Sequence, residues 1–146
     1  MVRAVTTALL FVALAASPAL AADYTVQMLN KGPDGTVMAF DPVLTKVAIG
    51  DTVTFVAKDK GHDAQTIAGM LPDGATPING QISQDITVTF TVPGVYGIRC
   101  VPHFSLGMVA LVVVGDGPPA NLDAAKAVVL PPLAKKRLDP VWAQIP

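Results

Sequence analysis

The chain is short of most residue types that carry chemistry. It has one cysteine, two histidines and one tryptophan, and none of its eleven acidic residues is a glutamate. A single thiol cannot close a disulfide within the chain, and it cannot supply the Cys-x-x-Cys-His pattern for haem attachment. Charged residues make up 14% of the sequence and form no basic block, so nothing marks a nucleic-acid surface. Past the N-terminus the longest apolar run, residues 108–114, is far too short to cross a bilayer.

What stands at the start is a leader. Arg3 gives a charged beginning, residues 8–16 an apolar stretch, and Ala19-Leu20-Ala21 a small-residue cleavage pattern. The apolar stretch is short for a membrane span. We expect cleavage after Ala21, which leaves residues 22–146 as one exported domain with no membrane segment and the size for a single core. Without Arg3 the net charge is −2.

The mature part reads as strands punctuated by turns. Residues 24–30 and 51–56 have strand character, with Val53 and Phe55 alternating against Thr52 and Thr54. Pro42 cannot donate to a sheet ladder and suits an edge or a crossing between sheets. Residues 66–71 fit a short strand or one helical turn equally. Ile86, Val88, Phe90 and Val92 alternate with threonines, and Pro93-Gly94 predicts a hairpin into residues 95–99. Many short strands with Gly/Pro turns predict an all-β sandwich over residues 22–116. Residues 117–146 change character: Asn121 is placed to cap a helix over residues 124–129, and Pro132 to open a second over 133–138. Pro140 argues against continuing it. Leu122, Val129, Leu133 and Trp142 are offered as the face packed on the sheet.

The densest stretch is residues 95–108, Val-Tyr-Gly-Ile-Arg-Cys-Val-Pro-His-Phe-Ser-Leu-Gly-Met. It sets Cys100, His103 and Met108 at the spacing Cys-x2-His-x4-Met between two apolar runs. Thiolate and thioether select copper(I), and imidazole suits copper in both oxidation states. Two His and one Cys with a long axial Met make a blue-copper electron-transfer site. The second imidazole has to be His62, in the loop Lys58-Asp59-Lys60-Gly61-His62-Asp63. Against this stands the plain reading of a buried small hydrophobe and a satisfied loop histidine.

These residues resemble the cupredoxins. The matching stretches are Met28-Leu29-Asn30-Lys31-Gly32, Gly50-Asp51-Thr52-Val53-Thr54-Phe55, Asp59-Lys60-Gly61-His62, Pro93-Gly94-x-Tyr96, Cys100-x-Pro102-His103-x3-Gly107-Met108 and Val114-Gly115-Asp116. A helical tail occurs in the longer members of the family, whereas amicyanin and plastocyanin lack it. The resemblance implies an eight-stranded Greek-key sandwich with one or two C-terminal helices. It implies one copper ion, Cu(I)/Cu(II), held by His62, Cys100, His103 and Met108, with His62 buried and His103 near the surface. Met38, Pro102 and Phe104 would form an apolar patch around His103, and Lys31, Lys58, Lys60 and Arg99 a basic rim.

The implied role is a monomeric, soluble periplasmic electron carrier, not an enzyme. It would serve a reductase such as a copper nitrite reductase, with a cytochrome as donor. Two features depart from the family pattern. The residue after the first histidine is often Asn, tying the two ligand loops together; here it is Asp63, whose carboxylate should lower the reduction potential. The residue after the cysteine is often Thr; here it is Val101. The rim is also thin, because residues 76–81 hold no lysine.

Two histidines leave none for the further centres of a multicopper enzyme. A Cys–His hydrolase leaves Met108 unexplained and offers no group to orient the histidine. A copper-delivery or storage protein would use the same ligands in an open site. Zinc takes thioether poorly.

Overall fold

A computed structural model describes residues 20–146, so residues 1–19 of the expected leader lie outside the described residues. Eight strands form two four-stranded sheets. The first is ordered β2 (Val37–Asp41), β1 (Asp23–Lys31), β4 (Thr52–Val56), β6 (Ile86–Thr89); the second β3 (Leu44–Val47), β8 (Val109–Val114), β7 (Gly94–Arg99), β5 (Gln65–Thr66). The β1–β4 and β3–β8 pairs are parallel and the other four antiparallel. Two helices follow, α1 (Leu122–Lys126) and α2 (Pro132–Trp142). Among the described residues no helix is long and apolar enough to cross a membrane.

The sheets enclose one core. Val26 lies opposite Phe55 and Met28 opposite Phe40 in the first sheet, while Tyr96 and Ile98 face inward from β7. A second core lies on the outer face of the second sheet. There Val95, Leu111 and Val113 meet Ala125, Ala134 and Leu138 of the helices. Every residue of β8 is buried, because both of its faces are covered. That is why its sequence is a continuous apolar run and not an alternation.

Several sequence expectations need correction. Residues 86–99 are not a hairpin. β6 pairs with β4 in the first sheet and β7 with β5 and β8 in the second, so Pro93-Gly94 carries the chain between sheets. Residues 66–71 are the end of β5 followed by a turn at Ala68-Gly69. Asn121 stands at the helix start, but its side chain does not cap it. Its Oδ1 accepts from the Val95 amide and its Nδ2 donates to the Val95 carbonyl, each at 2.8 Å. α2 runs through Pro140. The ring removes one backbone donor, while burial of Leu138 and Val141 on either side holds the helix. Val129 is 95% exposed and Leu133 49%, so only Leu122 and Trp142 of the four expected contacts pack on the helix-side core.

Candidate metal centre

The site sits at one end of the inner core, where two loops meet. The first follows β4. Gly61, in the left-handed region at φ +89°, turns the chain into His62. The Gly61 amide donates to Ser83 Oγ at 2.9 Å, and the Ser83 amide donates to the His62 carbonyl at 2.7 Å. Asp59 fastens this loop to β1: its Oδ2 accepts from the Asn30 amide at 2.7 Å, and its own amide donates to the Met28 carbonyl at 3.1 Å.

The second loop leaves β7 at Cys100 and enters β8 after Met108. The Cys100 amide donates to the Met108 carbonyl at 3.0 Å, closing the loop at its neck. Inside it the His103 carbonyl accepts from Met108 (3.1 Å) and Leu106 (3.1 Å), and a short 3₁₀ turn, Phe104–Leu106, fills the bend. Gly107 ends that turn at φ +84°; a Cβ there would lie 2.9 Å from the Leu133 backbone of α2. The loop is therefore held from within by hydrogen bonds and from outside by the helix.

Together the loops bring His62 Nδ1, Cys100 Sγ and His103 Nδ1 into a triangle. The separations are 3.1 Å between the nitrogens, 3.7 Å from sulfur to His62 and 3.5 Å from sulfur to His103. The point equidistant from all three lies about 2.0 Å from each, the length of a metal–nitrogen bond and about 0.3 Å short of a metal–thiolate bond.

The tautomer of His62 favours a metal. Its Nε2 lies 3.0 Å from Asn30 Oδ1, an acceptor, so Nε2 carries the proton and Nδ1 offers its lone pair to the centre of the triangle. Burial, reinforced by the nearby His103, holds the His62 imidazolium below the ordinary histidine range, which keeps the ring neutral. Burial also pushes the metal-free Cys100 thiol up to about 11; the Asp63 amide donating to the sulfur opposes this, and the Asp63 charge adds to it. Met108 is fully buried in the same core as Cys100. A soft sulfur pair and two imidazoles fit copper.

Asp63 is 3% exposed and joins the two loops. Its Oδ1 accepts from the Val101 amide at 2.7 Å, and its Oδ2 from Gln65 Nε2 at 3.3 Å. The tie expected of an asparagine is thus made by a carboxylate.

His62 is fully buried and His103 half-buried, its loop opening on an apolar surface. Pro102 is exposed, with Val101 44% and Leu106 48% exposed beside it; Phe104 and Met38 are half-buried. Lys31, Lys58 and Lys60 are exposed, whereas Arg99 is half-buried with its guanidinium 5.4 Å from the centre of the Phe104 ring. Sequence reasoning gave no role to Asn30, although it lies in a quoted motif, and none to Arg137. Arg137 reaches from α2 to donate to the Met38 carbonyl at 2.5 Å and the Val37 carbonyl at 3.1 Å. Met38 holds a left-handed backbone at φ +53°, rare for a residue with a Cβ.

Comparison with known proteins agrees with this geometry. Residues 26–115 match the family model of copper-binding proteins of the plastocyanin/azurin family. The chain belongs to that family, the electron-transfer cupredoxins, and copper is its metal. Within it the similarity is to the pseudoazurins. The chain is 51% identical over 128 residues to the pseudoazurin of Methylorubrum extorquens, covering 88% of this chain and 85% of that one. It is 46% identical over 130 residues to the pseudoazurin of Paracoccus pantotrophus, covering 89% and 88%. The crystal structure of pseudoazurin from Hyphomicrobium denitrificans superposes with a TM-score of 0.80 at 40% identity, covering 85% of this chain and 98% of that one.

Proposed function

We propose that His62, Cys100, His103 and Met108 hold one copper ion, and that the protein is a periplasmic one-electron carrier. It would take electrons from a cytochrome and pass them to a reductase such as a copper nitrite reductase. The observation that carries this reading is the triangle of donor atoms with a metal-sized centre at the end of a rigid core. Copper bound there supplies a Cu(I)/Cu(II) couple and no site for a substrate.

The chain's own residues supply the rest. Asn30 fixes the proton on His62 Nε2, and Asp63 holds the two loops at one spacing. Cys100 is fully buried, so water is kept from the sulfur. His103 stands between this interior and the surface formed by Val101, Pro102 and Leu106. That surface suits brief apolar contact with a partner, since transient redox interfaces are small. Lys31 and Lys60 would orient the approach by charge, while Arg99 stacks on Phe104 and acts as part of the patch. Export follows from the leader, with cleavage after Ala21 and the carrier acting as a monomer. Catalysis is not part of this reading, because both histidines are already used.

The copper-loaded protein, titrated with reductant while its visible spectrum is recorded, separates the readings. A carrier shows an intense thiolate-to-copper band that bleaches at one electron per chain. A copper-delivery protein holds colourless copper(I) that a chelator removes quickly.

A further inference from the structure

Asp51 is a buried carboxylate, 5% exposed, with no part in the metal centre. It lies in the turn between β3 and β4. One oxygen, Oδ2, accepts from the Ala48 amide at 2.8 Å and closes that turn. The other, Oδ1, accepts from the backbone nitrogen of Ala22 at 2.8 Å, from across the sheet, 29 residues away. The Ala22 carbonyl in turn accepts from the Thr52 amide at 2.9 Å, so Ala22 is fastened at both its nitrogen and its oxygen. Regular pairing of β1 with β4 begins at the next residue, Asp23 opposite Thr52. Leu20, two positions earlier, is 92% exposed.

Ala22 is the residue that cleavage after Ala21 would make the first of the mature chain. Its nitrogen would then be an ammonium, not an amide. We infer that Asp51 is a receptor for the newly formed α-ammonium of Ala22, so that removal of the leader turns an amide-to-carboxylate hydrogen bond into a partly buried ion pair that locks β1 onto β4. The pair rests on the export reading, which requires that cleavage. Balance is simple: hydrolysis of the Ala21–Ala22 peptide bond gives a carboxylate on Ala21, and the amine on Ala22 takes up a proton. Asp51 needs no movement, because Oδ1 already lies at hydrogen-bond distance from that nitrogen. Charging the donor adds a direct attraction between unit charges to a bond that already ends on a carboxylate.

The surrounding charges support the assignment. Asp23, the neighbouring acid on β1, accepts from the Thr52 hydroxyl and faces the same end of the sheet. Across the adjoining groove, lined also by Tyr24 and Ala48, lie Lys46, Asp116 and Pro146. Lys46 Nζ donates to the Gln144 carbonyl at 2.6 Å, directed toward the C-terminal residues and not toward Asp51. Of these groups only the Asp51 carboxylate lies at hydrogen-bond distance from the Ala22 nitrogen, and Lys46 is held elsewhere by the Gln144 carbonyl.

The sign of the pH effect follows. A carboxylate raises the folded-state pKa of an amine above its ordinary value, about 7.7–8.0. The stability it confers is complete below that value and is lost as pH rises through the folded pKa. The test uses exported holoprotein whose first residue is fixed by intact mass, and in parallel a chain produced to begin at Ala22. The amine pKa is read from the Ala22 NMR signals, and we expect it about one unit or more above the ordinary value. A second chain carrying one extra glycine before Ala22 displaces the charge from Asp51. It should unfold at lower temperature than the parent at pH 6.5, and the gap should close at pH well above the measured amine pKa. In Asp51→Asn the extra glycine should have no effect. An ordinary amine pKa in the chain that begins at Ala22 overturns the ion pair even if Asp51→Asn fails to fold. A mature mass that places the first residue elsewhere overturns both the cleavage site and the pair in the natural protein.

Discussion

The two hydrophobic cores share β7 and β8 but do different work. The inner core takes Tyr96 and Ile98 from one face of β7, Ala110 and Val112 from β8, and Cys100 and Met108 from the ends of the loop between them; it ends in those two sulfur atoms. The outer core takes Val95, Val109, Leu111 and Val113 from the opposite face, and helices α1 and α2 cover it. The inner core ends in the candidate metal centre, and the outer core packs behind the sheet that carries it. Leu133 closes on Gly107 and Arg137 holds the Met38 carbonyl, so α2 is fastened both to the Cys100–Met108 loop and to β2. Substitutions in the two cores should therefore separate function from stability.

The largest effect belongs to the inner core. Cys100→Ser should abolish the copper charge-transfer band altogether while circular dichroism still reports the sandwich. The complementary change in the outer core is Leu138→Ala, a fully buried side chain. It should lower unfolding free energy by about 2–5 kcal/mol, with the visible spectrum of the folded protein unchanged. A shifted spectrum in that variant would show that the two cores are not separable. Gly107→Ala touches both: it puts a Cβ on a left-handed residue and against Leu133. We expect a loss of about 1–3 kcal/mol, measured by denaturant unfolding, together with faster copper loss to a chelator.

Smaller effects refine the comparison at the rim of the inner core. Asp63→Asn keeps the acceptor for the Val101 amide but removes a buried negative charge. The reduction potential should rise, as voltammetry would show, with the fold intact; no rise would contradict a charge effect on the copper. The smallest effect concerns the thin lysine rim. Partner association should weaken only gently with salt, because few exposed charges take part. A steep fall in stopped-flow association rate would show that the basic face is larger than Lys31, Lys58 and Lys60.

Much of this division was legible in the sequence. Alternation marked β4 and β6, Pro42 marked a crossing between sheets, and the spacing of Cys100, His103 and Met108 marked the loop that meets His62. The failures have a common physical cause: local signals do not report which distant element is the partner. Pro93-Gly94 announces a reversal, yet cannot say whether the chain rejoins the same sheet. Asn121 has the chemistry of a cap, but the Val95 backbone lies within its reach and takes both its donor and its acceptor. Pro140 is unfavourable within a helix, and burial on both sides outweighs it. Asn30 could have been found, since its motif was visible and only its role was missing. Arg137 could not, because its contact with Met38 joins residues 99 apart.

All of these differences depend on whether the end of the inner core is a metal site. Diffraction from crystals of the copper-loaded protein, with anomalous data collected at the copper edge, measures this directly. We predict a single peak about 2.0–2.3 Å from His62 Nδ1, Cys100 Sγ and His103 Nδ1, on the side facing Met108. Copper found only elsewhere, or three side chains that remain hydrogen-bonded to one another with no peak between them, would contradict the account.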